Sequence, residues 1–107
     1  MNKLASMLSL SKKAGKLVLG FDVVKEALEK KTAGLVLLAK DLSPKSRKEM
    51  VLVCEKNGAR YKDLPLTMDE VWFVAGKRAG IIAVADEGLA NKLAQLTDDA
   101  IKEESQL

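Results

Sequence analysis

The sequence has no histidine and only one cysteine among its 107 residues. Without histidine the chain lacks the commonest general base at neutral pH and the commonest zinc ligand, so Ser-His-Asp and Cys-His catalytic groups are excluded. The single cysteine, Cys54, excludes an intramolecular disulfide and a closed thiolate zinc site. We therefore expect a protein without a metal or cofactor.

Long apolar runs and a secretion signal are also absent. No apolar stretch approaches the roughly 18 residues that span a bilayer, and the N-terminal MNKLASMLSLSKK alternates polar and apolar residues. We expect a cytoplasmic protein with no membrane partner. The apolar content of 48% and the charged content of 31% are typical of a globular chain, and its length suits one domain.

The charge of the sequence is unevenly distributed. Residues 1–62 contain 14 Lys/Arg and 6 Asp/Glu, a net +8, whereas residues 63–107 contain 4 and 9, a net −5, which together give the overall +3. A basic first half indicates a polyanionic partner, although lysines that only face solvent give the same count. We expect a single domain over 1–97, followed by an acidic tail over 98–107 that is frayed.

Apolar periodicity predicts five helices and four strands in alternation. This pattern is typical of an α/β fold, a three-layer α/β/α sandwich around a short mixed four-stranded sheet. The run VWFVA is apolar almost all round, so core packing is the default expectation for Trp72 and Phe73, although one of them must point away from the sheet and is then available to a partner. The expected bounds are helix 3–14, strand 16–19, helix 22–31, strand 35–39, helix 44–58, strand 60–63, helix 67–76, strand 80–85 and helix 89–96.

The stretch SKKAGKLVLGFDVVKEAL, residues 11–28, combines lysines with two glycines. Gly15 and Gly20 have the spacing of a phosphate-binding loop, but Phe21 and Asp22 follow where such a loop needs Lys and Ser/Thr. The intervening KLVL favours a strand. Gly20 therefore predicts a tight turn from a strand into a helix, with free N–H groups at the helix start.

Two groups of cations lie near glycines. Lys12, Lys13 and Lys16 precede the turn at Gly20, where lysines beside free amides suit a phosphodiester backbone or simply face solvent. In AGKRAGII, Gly76 and Gly80 flank Lys77, Arg78 and the small residue Ala79. We expect these glycines to leave both cations exposed. This second loop is suited to meeting RNA phosphates with its cations and bases with its backbone and small side chains, and it is equally compatible with a plain turn.

Carboxylates at strand ends are the candidates for acid–base catalysis. Asp41 follows the second strand, and Asp86 and Glu87 follow the fourth. Ligands of open α/β sheets bind at such positions, and paired carboxylates perform acid–base chemistry. All three also precede helices, where acidic residues cap the first turn and complement the dipole.

Three stretches resemble a known protein family: KKAGKLVLG followed by a helix, GLVLLAKDLSPKSRK, and AGKRAGIIAVADEGLA. They are similar to the kink-turn RNA-binding ribosomal proteins of the L7Ae, L30e and S12e type, and most of all to the small bacterial YlxQ-like members. The resemblance extends from about Leu4 to Leu93. It implies an α/β/α sandwich without catalytic activity that binds sharply bent RNA containing tandem G·A pairs.

The resemblance also implies where RNA is bound. Contacts in the family come from the segment after the first strand and the loop before the last, which correspond here to residues 20–26 and 77–80. The family pattern after the glycine is roughly Thr-Asn-Glu-x-x-Lys, and four residues replace it here: Phe21, Asp22, Val23 and Glu26. Glu26 reverses the charge of a phosphate-binding lysine, and Lys25 points about 100° away around the helix.

The leading hypothesis is a cytoplasmic, ribosome-associated, monomeric RNA-binding protein that has no catalytic activity and no small-molecule substrate. Six cations are expected to contact phosphate: Lys12, Lys13, Lys16, Lys25, Lys77 and Arg78. Five residues are expected to supply backbone and base contacts: Gly20, Phe21, Asp22, Ala79 and Gly80. An alternative is a protein-interaction module with reduced RNA affinity, favoured by Val23 and Glu26, and a third hypothesis is an enzyme that uses Asp41 and Asp86.

Overall fold

The structure, a computed structural model, describes residues 2–105, and these form five helices and four strands in alternation. The α/β class expected from the sequence is therefore confirmed. The elements are α1 (Lys3–Lys13), β1 (Leu17–Leu19), α2 (Phe21–Glu29), β2 (Leu35–Ala39), α3 (Pro44–Lys56), β3 (Arg60–Leu64), α4 (Met68–Ala75), β4 (Ile81–Val84) and α5 (Glu87–Ser105).

The four strands form one mixed sheet in the order β1-β4-β2-β3. β2 pairs parallel with β3, whereas β4 pairs antiparallel with both of its neighbours. All five residues of β2 are buried, because this strand has a neighbour on each side and helices over both faces. The continuous apolar run LVLLA predicted such a central strand, and the structure confirms it.

The strand directions give the sheet two distinct ends. Because β4 alone runs opposite to the others, β1, β2 and β3 all finish where β4 begins. We call this the Gly20 end; it contains Gly20, Lys40, Pro65 and Gly80. The opposite end, which we call the Lys16 end, contains Lys16, Gly34, Ala59 and Ala85.

Helices cover both faces of the sheet, which confirms the expected three layers. On one face α1, α4 and α5 pack around a core that includes Leu8, Leu37 and Leu93. On the other, α2 and α3 enclose a smaller core that includes Val24 and Met50. The alternation of side chains along each strand sends successive residues to opposite cores.

Local sequence signals explain where helices begin and end. The Asn2 side chain accepts a hydrogen bond from the Ala5 amide at 2.8 Å and caps α1. Thr67 and Glu70 form a reciprocal capping box at the start of α4, and Gly76 ends that helix in the left-handed conformation at φ 75°. Each of these three signals was read correctly from the sequence.

The end of the last helix is a correction. The sequence places it near Leu96, with a frayed tail beyond Thr97, but α5 continues to Ser105. Asp98 accepts a hydrogen bond from Lys62 at 2.9 Å, and Ala100 packs against the larger core. These contacts with β3 and the core are not visible in local periodicity. Residues 106 and 107 of the expected tail, and Met1, lie outside the described residues.

The second correction concerns the two α4 aromatic side chains, of which only one was expected to point away from the sheet. Trp72 is 58% exposed and Phe73 is 78% exposed, whereas Val71 and Ala75 are buried. An eight-residue helix lying on one face of the sheet turns only one side to the core. The small and branched residues occupy that side, so both rings are left outside.

No helix within residues 2–105 is long and apolar enough to cross a membrane.

Candidate nucleic-acid interface

The junction between β1 and α2 is a tight turn centred on Gly20. Its backbone has φ 113° and ψ 153°, a conformation that essentially only glycine adopts. The Gly20 amide donates to the Ile81 carbonyl at 3.0 Å, which ties the turn to β4. Its carbonyl accepts from the Val24 amide at 3.0 Å and starts the helical pattern of α2. The turn is therefore fixed at the edge of the sheet.

The N-terminus of α2 has amides available for an anion. The amide of Val24 is the first of this helix to bond within it, and no side chain caps the preceding amides. These amides and the helix dipole favour negative charge. Asp22 is exposed in the first turn, whereas Phe21 is half-buried and packs against the smaller core. Phe21 therefore anchors the junction.

Lys77 joins the two segments that the sequence predicted to act together. It follows Gly76 in the loop between α4 and β4, and its Nζ donates to the Leu19 carbonyl at 3.2 Å. A Cβ built on Gly20 would lie 3.9 Å from the same Nζ. The ammonium group is thus held directly beside the turn, although the two segments are 57 positions apart when counted from Gly20 to Lys77.

Arg78 extends the positive charge of this loop along α4. Its Nε donates to Asp69 Oδ1 at 2.8 Å, and its Nη1 lies 3.9 Å from Met68 Sδ. Both side chains of the ion pair are more than half exposed. The pair is therefore weakly bound, and the guanidinium remains available to a competing anion.

Ala79 and Gly80 lie beneath this surface. Ala79 is 7% exposed and belongs to the larger core, and Gly80 is also buried. A Cβ on Gly80 would lie 2.6 Å from Leu42 Cδ1 and 3.0 Å from Met68 Sδ. Glycine is required here by packing, and the exposed part of the loop consists of Lys77 and Arg78.

The surface of α2 carries the departures from the family pattern. Lys25 and Val23 are exposed, Val23 by 51%. Glu26 accepts a hydrogen bond from Lys30 Nζ at 2.6 Å. This hydrogen bond and the accompanying charge attraction lower the pKa of Glu26 and raise the pKa of Lys30. Glu26 is therefore ionised and already paired at neutral pH.

The sequence profile of the Ribosomal protein L7Ae/L30e/S12e/Gadd45 family matches residues 2–94, which is most of the chain. The chain belongs to this family. It is also 34% identical over 97 residues to the RNA-binding protein YlxQ of Bacillus subtilis (strain 168), an alignment covering 86% of this chain and 92% of that protein.

Solved structures share the fold of this chain. A protein with unknown function from Bacillus halodurans C is 27% identical and superimposes with a TM-score of 0.86, covering 92% of this chain and 99% of its own. The Giardia lamblia 15.5kD RNA binding protein is 16% identical and has a TM-score of 0.73, covering 90% and 82%. The second likeness shows a shared fold.

In this L7Ae/L30e/S12e/Gadd45 family member, three of the predicted cations lie far from the others. Lys12 and Lys13 are in the last turn of α1, and Lys16 precedes β1, so all three are at the Lys16 end. The four residue steps from Lys16 to Gly20 span about 13 Å along an extended strand. The structure brings Lys25, Lys77 and Arg78 to the Gly20 end and leaves these three lysines at the other.

The carboxylates proposed for catalysis are also separated. Asp41 follows β2 at the Gly20 end, and its Oδ1 accepts from the Met68 amide at 2.8 Å. Asp86 follows β4 at the Lys16 end, and its Oδ1 accepts from the Leu89 amide at 2.8 Å. Each carboxylate stabilises the start of a helix, and the antiparallel pairing of β2 with β4 keeps the two apart.

The Gly20 end contains further cations that the site prediction did not include. Lys40 follows β2, and Lys45 and Lys48 lie in the first turns of α3; all three are exposed. Arg47 in the same turn makes a two-point ion pair with Asp63, at 3.0 Å for each contact. The capping signal Ser43-Pro44 fixes where α3 begins. It therefore indicates from the sequence that Lys45 and Lys48 lie near a helix N-terminus.

Proposed function

We propose that this family member is an RNA-binding protein whose RNA surface is the Gly20 end of the sheet. The observation that carries the proposal is the contact of Lys77 with the Leu19 carbonyl, which places a loop cation beside the uncapped N-terminus of α2. Amides at a helix start and neighbouring cations together suit the phosphates of RNA. Family membership and the RNA-binding name of the Bacillus subtilis relative support the same function.

The proposed ligand is a sharply bent, kink-turn RNA, and the proposed setting is the ribosome. Both follow from the resemblance of residues 20–26 and 77–80 to the segments with which the family contacts such RNA. Lys25, Lys77 and Arg78 would bind phosphates, while the amides at the start of α2 would face the RNA backbone. The buried Ala79 and Gly80 would support the loop from below.

The test is an anisotropy titration of two labelled RNAs at several salt concentrations. One is a kink-turn RNA with tandem G·A pairs, and the other is a straight duplex of the same composition. We expect tighter binding of the bent RNA, with an affinity that falls steeply with salt because counterions are released. Undetectable binding of both RNAs at low salt would contradict the proposal.

A protein-interaction module is the second candidate function, and the α2 surface favours it. Glu26 places an ionised carboxylate, paired with Lys30 at 2.6 Å, where the resemblance has a phosphate-binding lysine. Val23 adds an apolar side chain that is 51% exposed. Together these residues make the α2 surface less cationic and more suited to a protein partner.

The substitution Glu26→Lys separates the two candidates. If the α2 surface faces RNA, this change should strengthen kink-turn binding about tenfold and increase the salt slope by about one. Glu26→Gln controls for the loss of the Lys30 pair, and Glu55→Lys makes the same charge change on an exposed helical position of α3. The protein-interaction module would be favoured by two results together. Glu26→Lys and Glu55→Lys would change kink-turn binding equally, and the protein would still pull down ribosomal material after nuclease treatment.

A further inference from the structure

The exposed aromatic side chains of α4 have no role in the surface described so far. Trp72 is 58% exposed and Phe73 is 78% exposed, although rings of this size are mostly covered in folded domains. The core side of α4 is filled by Val71 and Ala75. The core therefore does not require two large rings at these positions. Their exposure indicates contact with a partner.

Trp72 lies next to the turn of α4 that Arg78 contacts. Residues three and four apart are neighbours on a helix, so Asp69 and Met68 occupy the turn next to Trp72. Arg78 returns over that turn, with its Nε 2.8 Å from Asp69 Oδ1 and its Nη1 3.9 Å from Met68 Sδ. A guanidinium group thus lies one helical turn from an exposed indole.

Phe73 has different surroundings. Together with Asn2, Ala5 and Glu70 it lines an open cavity of about 420 Å³ between α4 and α1. Glu70 Oε1 accepts from the Thr67 amide at 3.0 Å, so a carboxylate lies on this side of the helix. Asp69, the partner of Arg78, lies three positions before Trp72 and four before Phe73, and only Phe73 also has Glu70 three positions before it.

The flank of Trp72 is continuous with the Gly20 end. The Trp72 carbonyl accepts from the Gly76 amide at 2.9 Å, and the chain then leads directly to Lys77 beside Leu19. Arg78 compensates the charge of Asp69, the carboxylate nearest to Trp72 on the helix. Charge and position at this flank therefore complement a nucleic acid strand.

We propose that the Trp72 indole is a stacking platform for an unpaired nucleobase of RNA bound at the Gly20 end. The adjoining phosphate binds Arg78, which exchanges Asp69 for it. Aromatic side chains beside cations hold single-stranded bases in this way, since every base presents a flat face. The inference rests on the proposed function and adds a site on α4 to it.

The chain supplies its own reporter, because Trp72 is its single tryptophan. The kink-turn RNA is titrated while anisotropy of the label and tryptophan fluorescence are recorded together. Stacking should quench the fluorescence at the concentrations at which anisotropy reports binding. An RNA whose unpaired loop nucleotides lack bases should still bind through phosphates at low salt but should leave the fluorescence unchanged.

Four variants test the role of the ring. Trp72→Ala should weaken binding about tenfold, which corresponds to about 1.4 kcal/mol, and should leave the salt slope unchanged because no charge is lost. Trp72→Phe should retain most of the affinity. Trp72→Leu should bind like Trp72→Ala if stacking is needed, and Phe73→Ala is the matched control that should bind like the unaltered protein. Thermal unfolding checks that all four variants are folded.

The results separate the inference from the proposed function. RNA binding with unchanged fluorescence, or with equal affinity for Trp72→Ala, overturns the platform and leaves the RNA-binding surface in place. Full RNA affinity for Trp72→Leu also overturns it and indicates that the side chain makes only an apolar contact with the RNA. Absence of any RNA binding overturns both.

Discussion

The two ends of the sheet both carry exposed lysines, but they differ in which helix termini lie beside them. At the Lys16 end, Lys12 and Lys13 occupy the last turn of α1, and Lys56 occupies the last turn of α3. Cations at helix C-termini complement the negative end of the dipole. These lysines therefore stabilise the fold without any partner.

At the Gly20 end, one exposed lysine opposes the local dipole. Lys45 lies in the first turn of α3, which contains no acidic residue, whereas Lys25 is in the second turn of α2 and Lys77 follows the C-terminus of α4. Cations at helix N-termini are unfavourable for the isolated protein. The number of lysines therefore does not identify an RNA surface, whereas a lysine placed against a helix dipole, as Lys45 is, indicates a site that an anion would complete.

The largest expected effect concerns the two glycines that flank β1, one at each end. Gly20→Ala should lower the free energy of unfolding by about 3 kcal/mol, because its φ of 113° with ψ of 153° is a conformation that alanine avoids. Gly15 has φ 72° and nothing within 4 Å of a built Cβ, so Gly15→Ala should lower the free energy of unfolding by only about 1 kcal/mol. Urea unfolding of both variants measures this difference, and equal losses would contradict it.

The next effect concerns α5, which begins at the Lys16 end and reaches Pro65 at the Gly20 end. Ending the chain after Thr97 removes Ala100, which packs against the larger core, and Ile101, whose side chain is only 38% exposed. The free energy of unfolding should fall by about 1–2 kcal/mol. Ending it after Ser105 is the control. An unchanged urea midpoint for the shorter chain would show that this segment adds nothing.

A smaller effect tests the comparison of the ends directly. Lys25→Ala should weaken kink-turn RNA binding about fivefold, since a contact to a charged group contributes about 1 kcal/mol, and should reduce the salt slope by about one. Lys13→Ala removes the same charge at the Lys16 end and should change neither. The measurement is the same anisotropy titration. If Lys13→Ala has the larger effect, the RNA surface has been assigned to the wrong end.

The smallest effect is the pH dependence of the Glu26–Lys30 pair on α2. Since the folded state lowers the pKa of Glu26, the pair's contribution is present above the unfolded pKa and is lost as pH falls through the folded one. Both groups are exposed, so the change in stability should be barely measurable. NMR titration of the Glu26 carboxyl should show the lowered midpoint, and Lys30→Gln should raise it. An unchanged midpoint in Lys30→Gln would contradict this assignment.

Local signals in the sequence were sufficient for most of the fold. The run LVLLA predicted the central strand, and the Thr67–Glu70 capping box with Gly76 predicted the bounds of α4. The central strand is marked by its continuous apolar run, and the capping box and the end at Gly76 depend on interactions between residues at most four positions apart. The strand-to-helix turn at Gly20 was predictable for the same reason.

Much of the candidate site depends on contacts between distant parts of the chain. Lys77 meets Leu19 because β1 pairs antiparallel with β4, and no local pattern specifies that pairing. The exposure of Trp72 likewise depends on which side of α4 meets the sheet. An almost uniformly apolar run such as VWFVA has no polar face from which that side could be read.

The sequence by itself determined an α/β chain without histidine, its helix caps, its central strand, and a cation-rich first half with glycines at its turns. Tertiary structure alone decided that Lys25, Lys77 and Arg78 share one end of the sheet while Lys12, Lys13 and Lys16 occupy the other. The physical reason is strand direction. A β-strand of three residues separates its two ends by about 10 Å, so Lys12, Lys13 and Lys16, although close to Gly20 in sequence, lie at the opposite end of the sheet from it.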